Sequence, residues 1–316
     1  MSAVRWGFLG AGFIAGRALA PAVHAADGAV LQVAAARDPA RAAALGPVRA
    51  VADYGEVLAA DDVDAVYISL PNDAHLPWAV AALEAGKPVL CEKPLGLDAA
   101  QVRWMRAAAA ATGGLLVEAA WNRWHPRSRR VVELVAEVGG PRVVRTWFEF
   151  PSVPVGNYRL DPRHGGGALL DVGCYAVGAA LDALGPGEVE VAAVTRSVGP
   201  TGVDLTTTAT LTHRAGTAEV SASFERPGAQ GVRIEAPGVV VELLGQAFTS
   251  WHEPSALRVV RAGREHVEHF AACDAYRLMV EAVGERVRGG SAWVMPLDES
   301  ERVAATLDRI AATPAP

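Results

Sequence analysis

Short apolar runs alternate with helix-spaced segments through the first 120 residues of the chain. Val4 to Leu9, Val30 to Ala36, Val48 to Ala52, Ala65 to Leu70, Val89 to Cys91 and Leu115 to Ala119 read as strands. Gly10 to Ala26, Pro39 to Leu45, Glu56 to Ala60, Ala74 to Ala85 and Asp98 to Ala111 read as the helices between them. Gly86 and the pair Gly113-Gly114 supply helix stops. This alternation predicts a doubly wound parallel sheet with helices on both faces. After Pro126 the pattern changes. A helix over Ser128 to Val138 precedes a strand over Arg142 to Phe150, and a loop rich in proline and glycine leads into an apolar helix over Ala168 to Leu184. Strand patterns then recur at Val189 to Val198, Leu205 to Leu211, Ala218 to Phe224, Gly231 to Ala236 and Val239 to Leu244. Thr206, Thr208, Thr210 and Thr212 alternate along one of them, as on one face of an antiparallel sheet. Helices over Asp274 to Arg288 and Asp298 to Ala312 close the chain. The expected fold is α/β: a doubly wound domain over 1–122, then a domain over 123–316 with a large, mostly antiparallel open sheet.

Composition narrows the picture. The 316 residues are 51% hydrophobic, enough for a sizeable core and against disorder. The net charge of −6, without a long basic run, argues against a nucleic-acid partner. Cys91, Cys174 and Cys273 are odd in number and far apart, so no disulfide framework is expected and a reducing cytoplasm fits best. The first 26 residues resemble a secretion signal, with Arg5, an apolar stretch and Ala22-Val23-His24-Ala25 at its end. Arg17 interrupts that stretch, and cleavage would remove a glycine loop that makes sense in the fold. No apolar run of about 18 residues lacks charge, so no membrane partner is expected.

Candidate chemistry falls in three places. Gly10-Ala11-Gly12-Phe13-Ile14-Ala15 follows the first strand and opens a helix. Gly10 allows the tight turn, Gly12 lets a diphosphate approach the backbone, and Ala15 is small enough for helix–strand packing. Gly10, Gly12, Phe13 and Ile14 are therefore candidate cofactor contacts. The end of the second strand selects the cofactor. Ala36 stands where an NAD site usually carries an acid, and Arg37 follows, suited to a 2′-phosphate and so to NADP. Asp38 keeps NAD open, either as that acid in a shifted register or, alternatively, as the cap of the next helix. The second place is Glu92-Lys93-Pro94, where a charged pair and a proline end an apolar strand. Ligands bind at such strand ends, and a lysine there is placed to polarise a carbonyl. The third is Gly165 to Tyr175. Asp171 and Tyr175 stand four apart on the predicted helix and so on one face. Taken alone, Tyr175 reads as a core tyrosine and Asp171 as an acid favoured by the helix dipole. His75, His125 and His164 lack metal spacing, so no metal site is expected.

Taken together these motifs resemble the glucose–fructose oxidoreductase / inositol dehydrogenase / MocA family over nearly the whole chain. The likeness rests on the glycine loop, on Ser69-Leu70-Pro71-Asn72 with His75, on Glu92-Lys93-Pro94, and on the run from Gly165 through Asp171 to Tyr175. The chain looks closest to the dihydrodiol dehydrogenase and sugar-ketoreductase branch, by Ala35-Ala36-Arg37-Asp38, by Leu90 to Gly96 and by Glu118 to Arg123. The resemblance implies a Rossmann domain and a substrate-binding domain whose open sheet makes homodimer or homotetramer contacts. It implies that Ser69, Leu70, Pro71, Asn72 and His75 line the cofactor, that Glu92 and Lys93 sit at the nicotinamide ribose, and that Trp121 and Arg123 close over it. Inositol-type members carry histidine at the position of Tyr175 and a later acid where Gly178 stands, which argues against that specificity.

The implied activity is an NADP-dependent oxidoreductase, interconverting alcohol and carbonyl on a sugar, polyol or dihydrodiol. Tyr175 is the expected acid/base, Lys93 lowers its pKa and holds the same oxygen, and Asp171 orients a substrate hydroxyl or Lys93. The competing expectation is a non-catalytic NADP-binding sensor or scaffold, which would need the glycine loop but not Lys93, Asp171 and Tyr175 together.

Overall fold

The computed structural model describes residues 2–249 and 252–315. The chain divides into two compact units. One comprises the residues up to Trp124 together with Asp274–Glu301; the other comprises His125–Cys273 and the residues from Arg302 on.

Six strands form the sheet of the first unit: β1 (Val4–Leu9), β2 (Ala29–Ala35), β3 (Arg49–Val51), β4 (Ala65–Ile68), β5 (Val89–Cys91) and β6 (Leu116–Glu118). Their order is β3-β2-β1-β4-β5-β6 and each neighbouring pair is parallel. Helices cover both faces, so β4 and β5 are buried along their whole length and read as unbroken apolar runs. The order reverses between β1 and β4, and there the strand ends leave a crevice for a ligand. A helix over 13–25 leaves β1; its Ala15–Leu19 stretch has π geometry and continues as α1 (Ala20–Ala25). The next helices are α2 (Pro39–Ala43), α3 (Tyr54–Leu58), α4 (His75–Glu84) and α5 (Ala99–Thr112). Asp38, Asp53 and Asp98 cap α2, α3 and α5 through their carboxylates, which satisfies backbone N–H groups that the helices cannot.

In the second unit, α6 (Pro126–Glu137), α7 (Ala168–Asp171) and α8 (Gly173–Leu184) accompany an eight-stranded sheet. Its strands are β7 (Val143–Glu149), β8 (Glu190–Val198), β9 (Asp204–His213), β10 (Gly216–Ser223), β11 (Ala229–Ala236), β12 (Val239–Leu244), β13 (Ser255–Arg261) and β14 (Arg264–Phe270). The order is β14-β13-β12-β11-β7-β10-β9-β8; β7 and β10 pair in parallel and the other pairs are antiparallel. Alternate residues such as Val144, Phe148, Val220, Ile234, Val241 and Leu257 face the helical side, where α6 and α8 lie, and form the core with Ala176, Val177, Ala180 and Leu181. The opposite positions are polar. Arg145 pairs with Glu219 (3.1 Å) and Glu235 (2.9 Å), Arg233 with Glu235 (3.0 Å) and Glu242 (3.4 Å), and Arg258 with Glu242. Thr208 meets Ser221 across the β9–β10 register on the same face.

The structure departs from the sequence pattern in three places. The helix expected over Ala168 to Leu184 is two helices bent by 45° at Val172, so Asp171 and Tyr175 do not share the face of one straight helix. Strands β13 and β14 were not foreseen. Arg264–Phe270 is an edge strand with charges on both faces and lacks an apolar period. Finally, α9 (Ala275–Val287), which the sequence division places after 122 with the second domain, belongs to the first unit, as do residues up to Glu301 of α10 (Leu297–Ala312). The apolar face of α9, with Tyr276, Met279, Val280 and Val283, is buried, and Tyr276 stacks on Trp121 at 4.5 Å. No single helix among the described residues is long and apolar enough to cross a membrane.

Candidate active site

The glycine loop lies at the end of β1. Gly10 has φ of +100°, and a Cβ there would collide with the carbonyl of Ser69, just past β4. Only glycine lets the two strand ends close in this way. Around Gly12 the nearest protein atom to such a Cβ is Ser69 Oγ at 3.5 Å, ordinary contact distance. Gly12, just before the helix over 13–25, has no side chain to cap it, so the helix N-terminal dipole and N–H groups are suited to a diphosphate. Phe13 carries its ring into solvent beside the loop.

The end of β2 separates the two cofactor readings. The carboxylate of Asp38 accepts the N–H of Ala40 at 3.0 Å as the N-cap of α2. That ties it to the helix and leaves the place of a ribose-binding acid unfilled. Arg37 is exposed, and Arg41, one turn along α2, donates to the carbonyl of Ala11 at 2.7 Å. A guanidinium beside the glycine loop and an exposed arginine just past the end of β2 suit a 2′-phosphate. Arg41 escaped the sequence reading because nothing in the chain shows that it folds back onto Ala11.

Past β4, Ser69 and Leu70 are half-buried, Pro71 is exposed and Asn72 is buried. His75 is fully buried, with Nδ1 2.9 Å from the carbonyl of Pro94 and Nε2 3.0 Å from that of Leu70. Burial lowers its pKa, and its two ring nitrogens bridge the loop after β4 and the turn after β5. At the tip of β5 the Lys93 side chain is half-buried and the Lys93–Pro94 peptide is cis. Glu92 is buried; its Oε1 accepts the Tyr67 hydroxyl at 2.8 Å and its Oε2 accepts the Lys93 N–H at 3.3 Å. Burial pushes the Glu92 carboxyl up to about 7, against the pull of the Lys93 charge and the Tyr67 hydroxyl. Glu118, at the end of β6, is also raised by burial and accepts the N–H of Leu95 at 3.1 Å. Trp121 is buried against Tyr276, and Arg123 pairs with Glu299 at 2.6 Å. Both therefore hold neighbours of the first unit, and the Arg123 guanidinium also lies over the Trp293 ring, 6.0 Å from its centre.

In the second unit, Asp171 is buried and takes Nε of Arg159 at 2.7 Å. Burial opposes the charge of Arg159, but Asp171 and the phenols of Tyr158 and Tyr175 more than compensate and raise its pKa. The Arg159 guanidinium also lies over the Tyr158 ring at 4.7 Å. Tyr175 is half-buried in the first turn of α8, where its ring meets Phe148 at 5.5 Å and Phe248 at 5.7 Å. Thus the expected Asp171–Tyr175 pair is organised through Arg159. The glycine run has a steric cause. A Cβ on Gly166 would come within 2.6 Å of the Arg159 carbonyl, and one on Gly167 would displace the Asp204 carboxylate. Asp204 accepts the N–H of Leu169 and the hydroxyl of Thr207, both at 2.8 Å, and so fixes the start of α7. It lies 37 residues beyond Gly167, on β9, with no local signal to mark it. No group of three or more His, Cys, Asp or Glu side chains among the described residues is arranged to hold a metal.

Comparison with known proteins gives a consistent result. Residues 4–119 match the model of an oxidoreductase family with an NAD-binding Rossmann fold, and residues 128–239 match the GFO/IDH/MocA C-terminal domain. A D-xylose 1-dehydrogenase (NADP(+)) from Haloferax volcanii is 37% identical over 96% of this chain and 95% of its own length. A dTDP-3,4-didehydro-2,6-dideoxy-alpha-D-glucose 3-reductase from Saccharopolyspora spinosa is 32% identical over 91% of this chain and 98% of its own. Among solved structures, a 3-ketoreductase from Actinomadura kijaniata in complex with NADP and TDP-benzene superposes with a TM-score of 0.90 at 29% identity, covering 97% of this chain and 96% of that one. That reductase has also been solved with a lysine replaced by alanine and with a tyrosine replaced by phenylalanine.

The Gly167–Asp204 contact predicts the outcome of one substitution. With φ of +118° and a carboxylate in the way, Gly167→Ala should destabilise the protein by about 1–3 kcal/mol. It should also misplace the start of α7 and reduce turnover. Thermal melting measures the first effect, and a variant that melts with the wild type contradicts the steric account.

Proposed function

The chain belongs to the GFO/IDH/MocA family of oxidoreductases, and within that family we propose an enzyme that interconverts a secondary alcohol and a carbonyl on a sugar or a related hydroxylated small molecule. Its cofactor is NADP. One observation favours that reading above the others: Asp38 is engaged as a helix cap while Arg41 reaches the glycine loop and Arg37 is exposed just past the end of β2. The named relatives that use NADP, a xylose dehydrogenase and a ketosugar reductase structure, support the same class.

Bound NADP supplies the hydride chemistry. The glycine loop and the helix over 13–25 hold its diphosphate, Arg37 and Arg41 its 2′-phosphate. In the proposed mechanism, Lys93 hydrogen-bonds the substrate oxygen through its ammonium group and draws electron density from the carbonyl carbon. Tyr175 gives its phenolic proton to that oxygen during reduction and takes it back during oxidation. Arg159 stands beside Tyr175 and stabilises the negative charge left on the phenol oxygen. Asp171 neutralises Arg159 and holds its guanidinium in place through the 2.7 Å bond. The lysine and tyrosine replacements made in the similar 3-ketoreductase fit an interest in these two residue types. The uncovered face of the eight-stranded sheet, with its alternating Arg and Glu side chains, is the proposed contact between copies of the chain.

Three outcomes are expected. Fluorescence titration of cofactor-free protein gives tighter binding of NADPH than of NADH. Arg37→Ala and Arg41→Ala each weaken NADPH about tenfold and leave NADH unchanged; equal affinities in the wild type remove the 2′-phosphate assignment. Tyr175→Phe and Lys93→Ala each lower kcat by about a hundredfold or more, with NADPH affinity retained. Wild-type turnover in both variants would end this mechanism. In sedimentation velocity the wild type runs as a dimer or tetramer and Arg145→Glu runs as a smaller species; a monomeric wild type rules the interface out.

A further inference from the structure

Tyr67 has no part in the mechanism above, yet its surroundings single it out. It lies on β4 with 0% exposure, between β1 and β5. Its ring packs on Phe8 at 4.7 Å, while its hydroxyl donates to Glu92 Oε1 at 2.8 Å. Ser69 in turn hydrogen-bonds the Tyr67 side chain. The Ser69 carbonyl is the group against which Gly10 closes. On the other side, Glu92 Oε2 receives the N–H of Lys93. A hydrogen-bonded line thus runs from Ser69, whose carbonyl packs against Gly10, through Tyr67 and Glu92 to the backbone of Lys93. Nothing in the packing of a strand requires a carboxylate here. An apolar residue after β5 would avoid the cost of burying the charge.

We propose that Tyr67 is a positioning residue, which through Glu92 fixes the end of β5 from which Lys93 projects and ties that placement to the cofactor loop. This role rests on the reading of Lys93 given above. Burial and the Glu92 charge hold the Tyr67 phenol well above its ordinary pKa, so it remains a donor at every working pH. Glu92 is then the titrating member of the line. The groups that face it are Tyr67 from β4, Lys93 and Cys91 on its own stretch, and Glu118 from the end of β6. Tyr276 of α9 faces Tyr67, His75 of α4 faces Lys93, and Arg123 faces Glu118. Lys93 and Tyr67 favour the charged carboxylate, whereas burial and Glu118 oppose it. Loss of the Tyr67 hydroxyl removes one stabiliser of the charged form, so the Glu92 carboxyl titrates at higher pH. The charged form attracts the Lys93 ammonium. Turnover therefore rises with pH as Glu92 ionises.

The test compares the wild type with Tyr67→Phe and Glu92→Gln. In Tyr67→Phe, kcat at neutral pH falls about tenfold with KM and NADPH affinity changed little, and the acid limb of the kcat profile moves up by about one pH unit. In Glu92→Gln the limb disappears. A purely structural role would instead scale kcat equally at all pH values. Infrared difference spectra of the cofactor-free protein between about pH 6 and about pH 8 provide a readout that needs no turnover. They show a carboxyl C=O band in the wild type that Glu92→Gln abolishes and Tyr67→Phe moves to higher pH. That band in a protein inactive on every sugar tested overturns the proposed reaction and leaves the Tyr67–Glu92 pair standing. An unshifted band and an unshifted limb in folded Tyr67→Phe overturn the pair. If that variant does not fold, a band unchanged in Glu92→Gln overturns it in its place.

Discussion

The close approach of β1 and β4 at their carboxyl ends is the constraint from which the first unit's chemistry follows. These neighbouring strands stand where the strand order turns back on itself. Gly10 permits the approach because its missing Cβ makes room for the Ser69 carbonyl. With that contact in place, the helix over 13–25 starts beside the β4 terminus, and Ser69 can reach Tyr67. From there the hydrogen-bonded line extends to β5 and Lys93. A wider separation would place the phosphate-binding loop and the lysine on unrelated edges of the sheet.

Charged side chains in both units are kept in place by named partners. Glu92 has Tyr67 and a main-chain N–H, Glu118 has the N–H of Leu95, Asp171 has Arg159, and Asp204 has Leu169 and Thr207. Burial raises the carboxyls of Glu92, Glu118 and Asp204, as expected when water is removed from a charge. Removing one partner of such a pair typically costs several kcal/mol, about 3–5 for a fully buried ion pair, because the other partner is left unsatisfied. These pairs are therefore poor places for neutral drift and good places for positioning reactive groups. The polar ladder on the open sheet differs. Within one copy of the chain its charges are partly exposed, and each such pair adds at most about 1 kcal/mol.

Much of this was legible in the chain, for physical reasons. Buried parallel strands read as continuous apolar runs, and the glycine loop, Glu92-Lys93-Pro94 and the Gly165–Gly167 run are local features. The class of cofactor followed from Arg37 because position at the end of a strand determines what a side chain can reach. What was hidden depends on contacts between distant residues. Asp204 supports Gly167 from another strand, Arg41 bends back to Ala11, and Tyr67 looks like any core aromatic until Glu92 is placed beside it. The break at Val172 was hidden because both helices are apolar and no proline marks the bend. Strand β14 was hidden because an edge strand needs no apolar face. The resemblance to the family contributed the role proposed for Tyr175, which its apolar surroundings alone do not suggest.

The first unit is discontinuous in sequence. Its residues end at Trp124 and resume at Asp274, so the stretch from the glycine loop to Trp124 is not a complete cassette. Trp121 needs Tyr276 for its stack, Arg123 needs Glu299 for its charge partner, and Arg103 and Arg106 both pair with Glu301. A fragment cut at residue 122 would expose the apolar side of the sheet that α9 covers, lose Arg123 altogether and leave Arg103 and Arg106 without Glu301. Swapping the nucleotide-binding portion between relatives therefore requires two exchanged segments, 1–124 and 274–301, moved together. Evolution of cofactor preference in this chain is bound to a helix encoded about 240 residues after β2, the strand on which it packs.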